Sequence, residues 1–364
     1  LLAPAGALRT LFTGVLPSLL GLTGTSFAGL SERLHNAPLH LDARINDVSL
    51  SLPDADGHTP LHRITLPQCS ILTAADGLQV VVRNAVFATF FPSSVDTVLK
   101  LGTCTITPAL HASPSAIAVA VDTAAFRCGE RNTAGIAALV AELRRPLELA
   151  ARLCGSTSPP VVTVTCASLS VVLTSPDPPH RALPFTVIIQ TPTLTLGGAE
   201  TTLTTASIDV QCAVDGTPTP SVLTIGPAGS VAPLTITATR GTDGCVATVA
   251  VGSLALNTNR KVVERALVAL GSAATVARSF LTAPVRASFS AVRLDATFHE
   301  DGERLCVAQL SGVSVKASKN AGEGFMLSVT TVRTWWRGIK QPLLNTSGRR
   351  ALQLLVKTDV LRAD

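Results

Sequence analysis

The chain has 364 residues, of which 46% are apolar and only 15% are charged, and its formal net charge is +5. Soluble domains carry roughly 25% charged residues, so this sequence has apolar material for more surface than one compact core hides. The positive charges are scattered, and the chain has no Tyr and only two Trp. Nucleic-acid binding is therefore excluded, because it combines a basic stripe with stacking aromatics.

The amino-terminal segment, residues 1–38, is predicted to be a leading helix or loop. Residues 11–22 are apolar but interrupted by Pro17 and two glycines, and they lack the basic start and cleavage site of a signal peptide. Residues 24–28 approximate the G-x-S-x-G nucleophile elbow, but a Pro/Gly-rich stretch replaces the strand that the elbow requires. Because the sequence begins at Leu1 without Met, we expect it to be a piece of a longer protein.

Alternation of apolar and polar residues with period two dominates the chain and predicts a mostly β fold. The runs are rich in Val, Ile, Leu and Thr, and short turns such as Ala74–Gly77 separate them, which favours antiparallel meanders. The predicted strands span residues 39–53, 61–74, 78–91, 95–110, 116–127, 161–174, 183–196, 201–214, 221–239, 244–257, 284–299, 304–318, 323–336 and 350–361.

Two stretches change to a helical period. Apolar residues recur at three- and four-residue steps across residues 133–154 and again across residues 260–281. Each follows a fifth predicted strand through a polar segment, Arg131–Thr133 or Asn257–Asn259, and Asn and Thr suit a helix N-cap. We therefore expect each helix to carry the chain from one set of five strands to the next.

The pattern predicts an internal repeat, because first strands begin near residues 39, 161 and 284, about 122 residues apart. The predicted architecture is an elongated array of repeats, each with about five antiparallel meandering strands and a crossing helix, forming a curved sheet with an apolar concave groove. The repeats are assigned to residues 39–159, 160–282 and 283–364, with the third cut short.

Each predicted first strand changes parity once, for example from Phe289 and Ala291 to Val292 and Leu294. Such a phase slip moves the apolar set to the other face unless a bulge or sharp twist re-aims the strand. Its recurrence at one place in three repeats predicts a bend. One face of the sheet is wholly apolar, as residues 206–212 illustrate, and must be covered by protein or by an apolar ligand.

This arrangement resembles the repeating β-groove of the chorein-type bridge-like lipid transfer proteins, over about residues 39–361. Leu41–Pro53 is similar to the alternating strand, valine-leucine and proline that open those repeats, and Val249–Asn257 before helix 260–281 is similar to their strand-to-helix exit. The amino-terminal helix that caps such bridges is not recognisable in residues 1–30, which suggests an internal segment.

The resemblance implies non-enzymatic bulk transfer of glycerophospholipids along a hydrophobic groove, by a segment of a larger bridge. The implied partners are phospholipids, membranes at contact sites reached through flanking regions, and adaptor proteins; the implied location is cytoplasmic and peripheral at membrane contact sites. No cofactor, metal or catalytic residue is expected. The residues expected to line the groove are Val48, Leu50, Leu52, Val164, Leu169, Val171, Leu173, Ile208, Val210, Phe289, Leu294, Phe325, Leu327 and Val329.

The main alternative is a structural or scaffold β-repeat protein whose apolar face is covered by itself or by partner subunits. Eight cysteines without C-x-x-C spacing are interpreted as reduced, buried residues, which argues against a periplasmic bridge. His58 and His62 lie four apart but beside a turn, so we expect surface histidines. Trp335 and Trp336, followed by Arg337 and Lys340, suit a membrane interface, a protein edge, or one ring inward and one against a loop.

Overall fold

A computed structural model describes residues 42–53, 60–74, 77–91, 94–109, 116–128, 161–173, 185–197, 200–214, 217–218, 221–241, 244–260, 262–263, 285–300, 302–317 and 325–356. Nearly all of these residues lie in strands of a large mixed sheet, so the prediction of a mostly β fold is confirmed. Within these ranges no helix is long and apolar enough to cross a membrane. The boundaries predicted after residues 38, 159 and 282 fall outside the described residues and stay predictions.

The chain divides into two compact units. The described part of the first unit contains the first half of β8 (Val161–Leu173) and seven earlier strands: β1 (Asp42–Pro53), β2 (Pro60–Ala74), β3 (Gly77–Arg83), β4 (Val86–Phe91), β5 (Ser94–Leu101), β6 (Thr103–Ala109) and β7 (Ala116–Cys128). β1 pairs with β2, β2 with both β3 and β4, β3 with β6, β4 with β5, and both β5 and β6 with β7, all antiparallel.

The second unit contains the second half of β8 and most of the later strands, while β10 contributes residues to both units. The strands are β9 (Phe185–Gln190), β10 (Thr193–Gly197), β11 (Glu200–Thr205), β12 (Ser207–Val214), β13 (Thr217–Pro218), β14 (Leu223–Gly226), β15 (Leu234–Gly241), β16 (Gly244–Asn259), β17 (Val285–Glu300), β18 (Glu303–Ala317), β19 (Phe325–Trp336) and β20 (Leu344–Val356). Antiparallel pairs join β8 to β9, β9 to β12, β12 to β14, β11 to β15, and both β14 and β15 to β16.

One pairing is parallel and makes the sheet mixed. β16 and β17 run side by side from Cys245 opposite Val285 to Asn259 opposite His299. Parallel neighbours need a crossover of about a dozen residues or more, and residues 260–284 connect these two strands. A helix begins at Arg260, where the side-chain oxygen of Asn259 accepts a 2.9 Å hydrogen bond from the amide of Val262. Beyond Val263 the predicted second helix falls outside the described residues, as does all of the first at 133–154.

Several predicted strands are each divided in the structure into two consecutive strands with a break between them. The predicted strand 78–91 breaks at Asn84, which has a φ of 55°, and 95–110 breaks at Gly102. The strands predicted at 183–196, 201–214 and 221–239 also break once each. The one in 183–196 was indicated by a change of parity between Ile189 and Leu194. Alternation predicts pleated backbone but does not report a residue in the left-handed region, so the other interruptions were missed.

Within each unit the interruptions fall opposite one another, and we call these residues the kink row of that unit. In the first unit, pairing of β1 with β2 skips Asp47, whose φ is 56°, and Pro67 opposite it. In the second unit, pairing of β17 with β18 skips Val292 and Gly312, whose φ is 58°. The members are Asp47, Pro67, Asn84, Ala85 and Gly102 in the first unit, and Thr191, Ala206, residues 227–233, Gly252, Val292, Gly312 and Thr330 in the second.

The kink row absorbs extra residues without changing the register on either side. Residues 227–233 leave the sheet between β14 and β15 and return to it, and the amide of Gly252 donates a 3.0 Å hydrogen bond to the carbonyl of Pro233. A Cβ atom on Gly252 would lie 2.7 Å from the carbonyl oxygen of Gly226 and 2.8 Å from the amide nitrogen of Ala228. Only glycine fits where this backbone approaches so closely.

Candidate apolar ligand-binding face

One unbroken row of aliphatic side chains crosses eight neighbouring strands of the second unit. The register places each residue directly opposite the next, and cross-strand neighbours on one face have Cβ atoms about 5 Å apart. At about 4.8 Å per strand the row measures roughly 34 Å along the sheet. The members of row 1 are Leu169, Ile189, Ile208, Ile225, Leu254, Leu294, Leu310 and Val332.

Three further rows run beside row 1. Row 2 lies two residues further along each strand and contains Val171, Val187, Val210, Leu223, Leu256, Ala296 and Ala308. Row 3 lies on the other side of the kink row and contains Leu234, Val251, Ala291 and Val313. Val329 belongs to it because it packs in the same buried cluster and follows Ser328, which lies opposite Ser314. Row 4 follows, with Leu203, Ile236, Val249, Phe289, Val315 and Leu327. These rows contain no ionisable side chain.

The kink row is the reason that all four rows share one face. On β17 the inward residues are Phe289 and Ala291 before the kink and Leu294 after it, and all three pack in one apolar cluster. A strand of regular pleat would send the second set to the opposite face. The change in parity therefore coincides with an interruption of the strand pairing at Val292 and Gly312. Val292, predicted to begin the second apolar set, is instead 44% exposed, because it occupies the kink itself.

The opposite face of the same strands is polar. Asp209 accepts hydrogen bonds from the side-chain nitrogen of Gln211 at 2.9 Å and from the hydroxyl of Thr224 at 3.4 Å. Arg293 and Asp295, on either side of Leu294, form an ion pair at 2.7 Å. This alternation identifies one face for water and one face for apolar contacts.

Burial varies across the apolar face. Val329, Val251 and Ala291 of row 3 are only 1–3% exposed, so the centre of the face is dry. Row 4 and much of row 1, for example Val249 and Leu254, are only partly buried although they pack against that centre. The flanking rows therefore keep apolar surface that a ligand or another protein surface could cover.

The first unit carries a shorter version of this face. Leu50, Ile64, Phe87, Leu99 and Phe126 lie opposite one another across five strand positions, and Val48 lies opposite Leu66 in the adjacent row. The next row begins with Leu52 opposite His62 and continues to Thr89. Because a histidine and a threonine follow the leucine, the apolar face of this unit ends at that row.

His62 corrects a prediction made from the sequence. It was expected on the surface, but its side chain is only 5% exposed on β2. Its Nδ1 and the hydroxyl oxygen of the buried Thr89 are hydrogen-bonded at 3.1 Å, and its ring stacks on Phe87 with centroids 5.8 Å apart. The turn that suggested exposure, residues 54–59, falls outside the described residues, as does His58.

The residues expected to line a groove are placed as follows. Leu169, Ile208 and Leu294 belong to row 1, Val171 and Val210 to row 2, Val329 to row 3, and Phe289 and Leu327 to row 4. Leu173 packs against a smaller buried cluster around Phe185 and Cys212. Val164 is half-buried on β8 in the first unit, and Val48, Leu50 and Leu52 lie on β1. Phe325 begins β19 opposite Ala317.

Other members of the face were not predicted. Each of Ile189, Val249, Val251 and Leu254 has an apolar neighbour in the chain, so an apolar residue between two polar ones, the pattern around Ile208 and Val210, does not occur there. Ala291 and Val313 were seen only as parts of an alternating pattern. Only the cross-strand register identifies all of these residues, because it depends on how the strands pair and cannot be read from one strand alone.

Two buried hydroxyl groups lie at the ends of the apolar rows. Thr205, opposite Leu234 at the start of row 3, is only 5% exposed, and its hydroxyl oxygen has no hydrogen-bond partner. The hydroxyl of Thr346, opposite Val332 at the end of row 1, is also buried without a partner. Burying an unpaired hydroxyl is unfavourable, so both positions are local weak points of the face.

The structure describes the burial of five of the eight cysteines. Cys104, Cys166 and Cys212 are buried, while Cys69 and Cys306 are partly buried. Burial raises the pKa of the Cys69 thiol, and burial followed by the nearby charge of Asp122 raises the pKa of Cys104. These thiols behave as small apolar side chains rather than as nucleophiles.

Comparison with known proteins gives no family assignment. No family model matches the chain, and no curated protein matches it. Among solved structures, a sex pheromone precursor from Lactobacillus salivarius subsp. salivarius is 10% identical, with 71% of this chain and 68% of that chain covered and a TM-score of 0.11. A likeness of that size carries no argument about fold or function.

Proposed function

We propose that this protein is a non-enzymatic carrier of glycerophospholipids, in which acyl chains lie against rows 1–4 and slide along a hydrophobic groove between membranes. The observation that carries the proposal is row 1, an uninterrupted line of aliphatic side chains across eight strands. Its length of roughly 34 Å along the sheet is about twice the thickness of the hydrocarbon layer of one membrane leaflet.

The chemistry of the face supports movement rather than catalysis. Each methylene group removed from water contributes about 0.8 kcal/mol, so acyl chains would bind a partly buried aliphatic face favourably. The rows lack charged groups that would hold one headgroup, and we expect weak selectivity among headgroups. The parallel pairing of β16 with β17, which needs a crossover connection, also fits the proposed repeats and their crossing helices.

In this proposal the chain is a segment of a larger bridge that acts in the cytoplasm at membrane contact sites. Flanking regions and adaptor proteins would hold its ends at the two membranes. The chain itself would supply the apolar path, with no cofactor, metal ion or catalytic residue.

A structural scaffold is the second candidate function, and one observation favours it. Row 3 is already dry, with Val329 only 1% exposed and Val251 only 3% exposed. A scaffold would cover the remaining rows with its own chain or with partner subunits and would hold no lipid.

Transfer of fluorescent phospholipid between vesicles tests the proposal with two matched variants of β16. Val249 lies in row 4 and is partly buried, whereas Val246 on the same strand is 48% exposed. V249D places a charge against the acyl path while avoiding the fully buried row 3, where a charge would unfold the unit. We expect V249D to lose most of the transfer rate and V246D to retain it.

The outcome is interpreted with circular dichroism, which must show that both variants keep their β structure. Equal transfer by V249D and V246D would contradict a path along these rows. Absence of transfer by the unmodified chain, together with no bound lipid, would favour the scaffold.

A further inference from the structure

The connection between β19 and β20 forms a closed turn that we call the Trp turn, residues 336–344. The amide of Ile339 donates to the carbonyl of Trp336 at 3.0 Å, and Gly338 has a φ of 77°. The amide of Leu343 donates to the carbonyl of Thr334 at 2.8 Å, which closes the base of the turn. The backbone of the turn is therefore held in place by its own hydrogen bonds.

This turn presents large apolar side chains to solvent. Leu343 is 60% exposed, Trp336 49%, Leu344 47% and Ile339 44%. Four such residues within nine positions form a patch, in contrast to the single exposed apolar residues that are normal on protein surfaces. Their exposure has an energetic cost in water and points to a binding surface.

Positive charges lie beside the patch. A cavity of about 710 Å³ beside the turn is lined by Arg304, Arg337 and Lys340 together with both tryptophans, and no acidic side chain lines it. Arg337 also forms an ion pair with Glu303, outside that lining. Arg304 and Lys340 add positive charge beside exposed Trp and Ile, a combination that is complementary to an anionic surface.

We propose that the Trp turn docks onto a bilayer that contains anionic phospholipid. Trp336, Ile339 and Leu343 would enter the headgroup region, where Trp is favoured because its ring is amphipathic. Arg304, Arg337 and Lys340 would contact lipid phosphates, and the cavity offers room for a headgroup. Docking of this kind needs both apolar insertion and cationic attraction.

The composition of the turn favours a membrane over a protein partner. Lysine is depleted from the core of protein interfaces, whereas here Lys340 directly follows Ile339 in the apolar patch. The inference does not depend on lipid transfer along rows 1–4, because the Trp turn contains none of those residues.

Intrinsic fluorescence tests the proposal without any substitution. The chain has two tryptophans and no tyrosine, and both tryptophans line the cavity beside the turn. With vesicles of phosphatidylcholine and phosphatidylserine, we expect a blue shift of the emission and quenching by brominated acyl chains. Vesicles of phosphatidylcholine alone should give much weaker binding. An unchanged spectrum, or equal responses to both compositions, would overturn the proposal.

Vesicle co-sedimentation of variants gives a second test. R337Q/K340Q should weaken binding to the anionic vesicles by about fivefold for each charge removed, and W336S/I339S should weaken it further. V95S removes a valine that is 58% exposed elsewhere and should bind like the unmodified chain. Unchanged binding by both double variants would overturn the proposal. It would also be overturned if the unmodified chain bound no vesicles but associated with itself, and W336S/I339S abolished that self-association.

Different outcomes contradict lipid transfer along rows 1–4 and membrane docking by the Trp turn. V249D should stop lipid transfer and keep vesicle binding, because Val249 lies outside the Trp turn. W336S/I339S should keep co-purifying lipid and lose vesicle binding. If V249D lost vesicle binding while it remained folded, the Trp turn would not be the docking element.

Discussion

Two buried threonines illustrate how single residues stabilise or weaken the apolar faces. Thr89 is 2% exposed and its hydroxyl is hydrogen-bonded to His62, whereas Thr205 is 5% exposed and its hydroxyl has no partner. Removing an unpaired buried hydroxyl relieves its desolvation cost, while removing a paired one leaves the partner unsatisfied. The same substitution should therefore have opposite effects at the two sites.

We expect Thr205→Val to raise the free energy of unfolding by about 1 kcal/mol and Thr89→Val to lower it by about as much. Each replacement keeps the β-branched shape, so packing is conserved. Urea unfolding followed by circular dichroism measures both. Destabilisation by Thr205→Val would mean that its hydroxyl has a role that the hydrogen-bond geometry does not show.

Asp122 lies on β7 beside Gly102 of the kink row. Its side-chain oxygen accepts hydrogen bonds from the amide of Thr103 at 2.6 Å and from the amide and hydroxyl of Thr123. Desolvation acts to raise the pKa of Asp122, but the hydrogen bonds from Thr103 and Thr123 together lower the pKa below its usual value. The folded state therefore favours the ionised carboxylate.

A group with a depressed pKa stabilises the fold above its unfolded pKa, about 3.9 for Asp, and loses that contribution as pH falls through the lower folded value. We expect D122N to lower stability at neutral pH and to lose less on acidification than the unmodified chain does. Urea midpoints measured between neutral pH and the acid range check this. Parallel pH profiles for the two proteins would contradict it.

Strands show how far alternation predicts the fold. Each predicted strand has a counterpart in the structure, and the change of parity in β17 coincides with the skipped pair Val292 and Gly312. The breaks at Asn84 and Gly102 were missed, because a left-handed residue or a glycine inside an alternating run changes the backbone without changing the apolar pattern. The detour at residues 227–233 was missed because its Pro and Gly lie inside a run otherwise typical of one strand.

Gly252 tests whether the kink row needs its close backbone contacts. Gly252→Ala should lower the free energy of unfolding by about 2 kcal/mol, because the added methyl group would meet backbone atoms that cannot move aside. Gly229→Ala is the control: Gly229 has a φ of 59° but nothing lies within 4 Å of an added Cβ, so only the left-handed cost of about 1 kcal/mol applies. Equal effects in thermal unfolding would indicate that the contacts at Gly252 are not limiting.

Across the molecule, the candidate site is a property of pairing rather than of motifs. Ile208, Val210, Leu327 and Val329 were predicted from their own strands, since each has more polar neighbours. Ile189 and Leu254 are recognised as members of the face only from the register, which places them opposite Ile208 and Leu294. A sequence without a short motif predicts an apolar face, but the order of strands decides which residues meet on it.

The function proposed for that face depends on whether its partly buried rows hold lipid. Val249 and Leu254 keep apolar surface beside the dry centre formed by Val251 and Val329. Lipid transfer and scaffolding make different demands on that surface: the first requires a ligand that enters and leaves, and the second requires a permanent protein cover.

Native mass spectrometry of the purified chain, with extraction and identification of bound lipid, tests this claim most directly. Lipid transfer predicts several phospholipids per chain with mixed headgroups, because the rows contact acyl chains and contain no charged group to select a headgroup. A chain that remains folded and carries no lipid would contradict the proposal and would show that the apolar face is covered by protein.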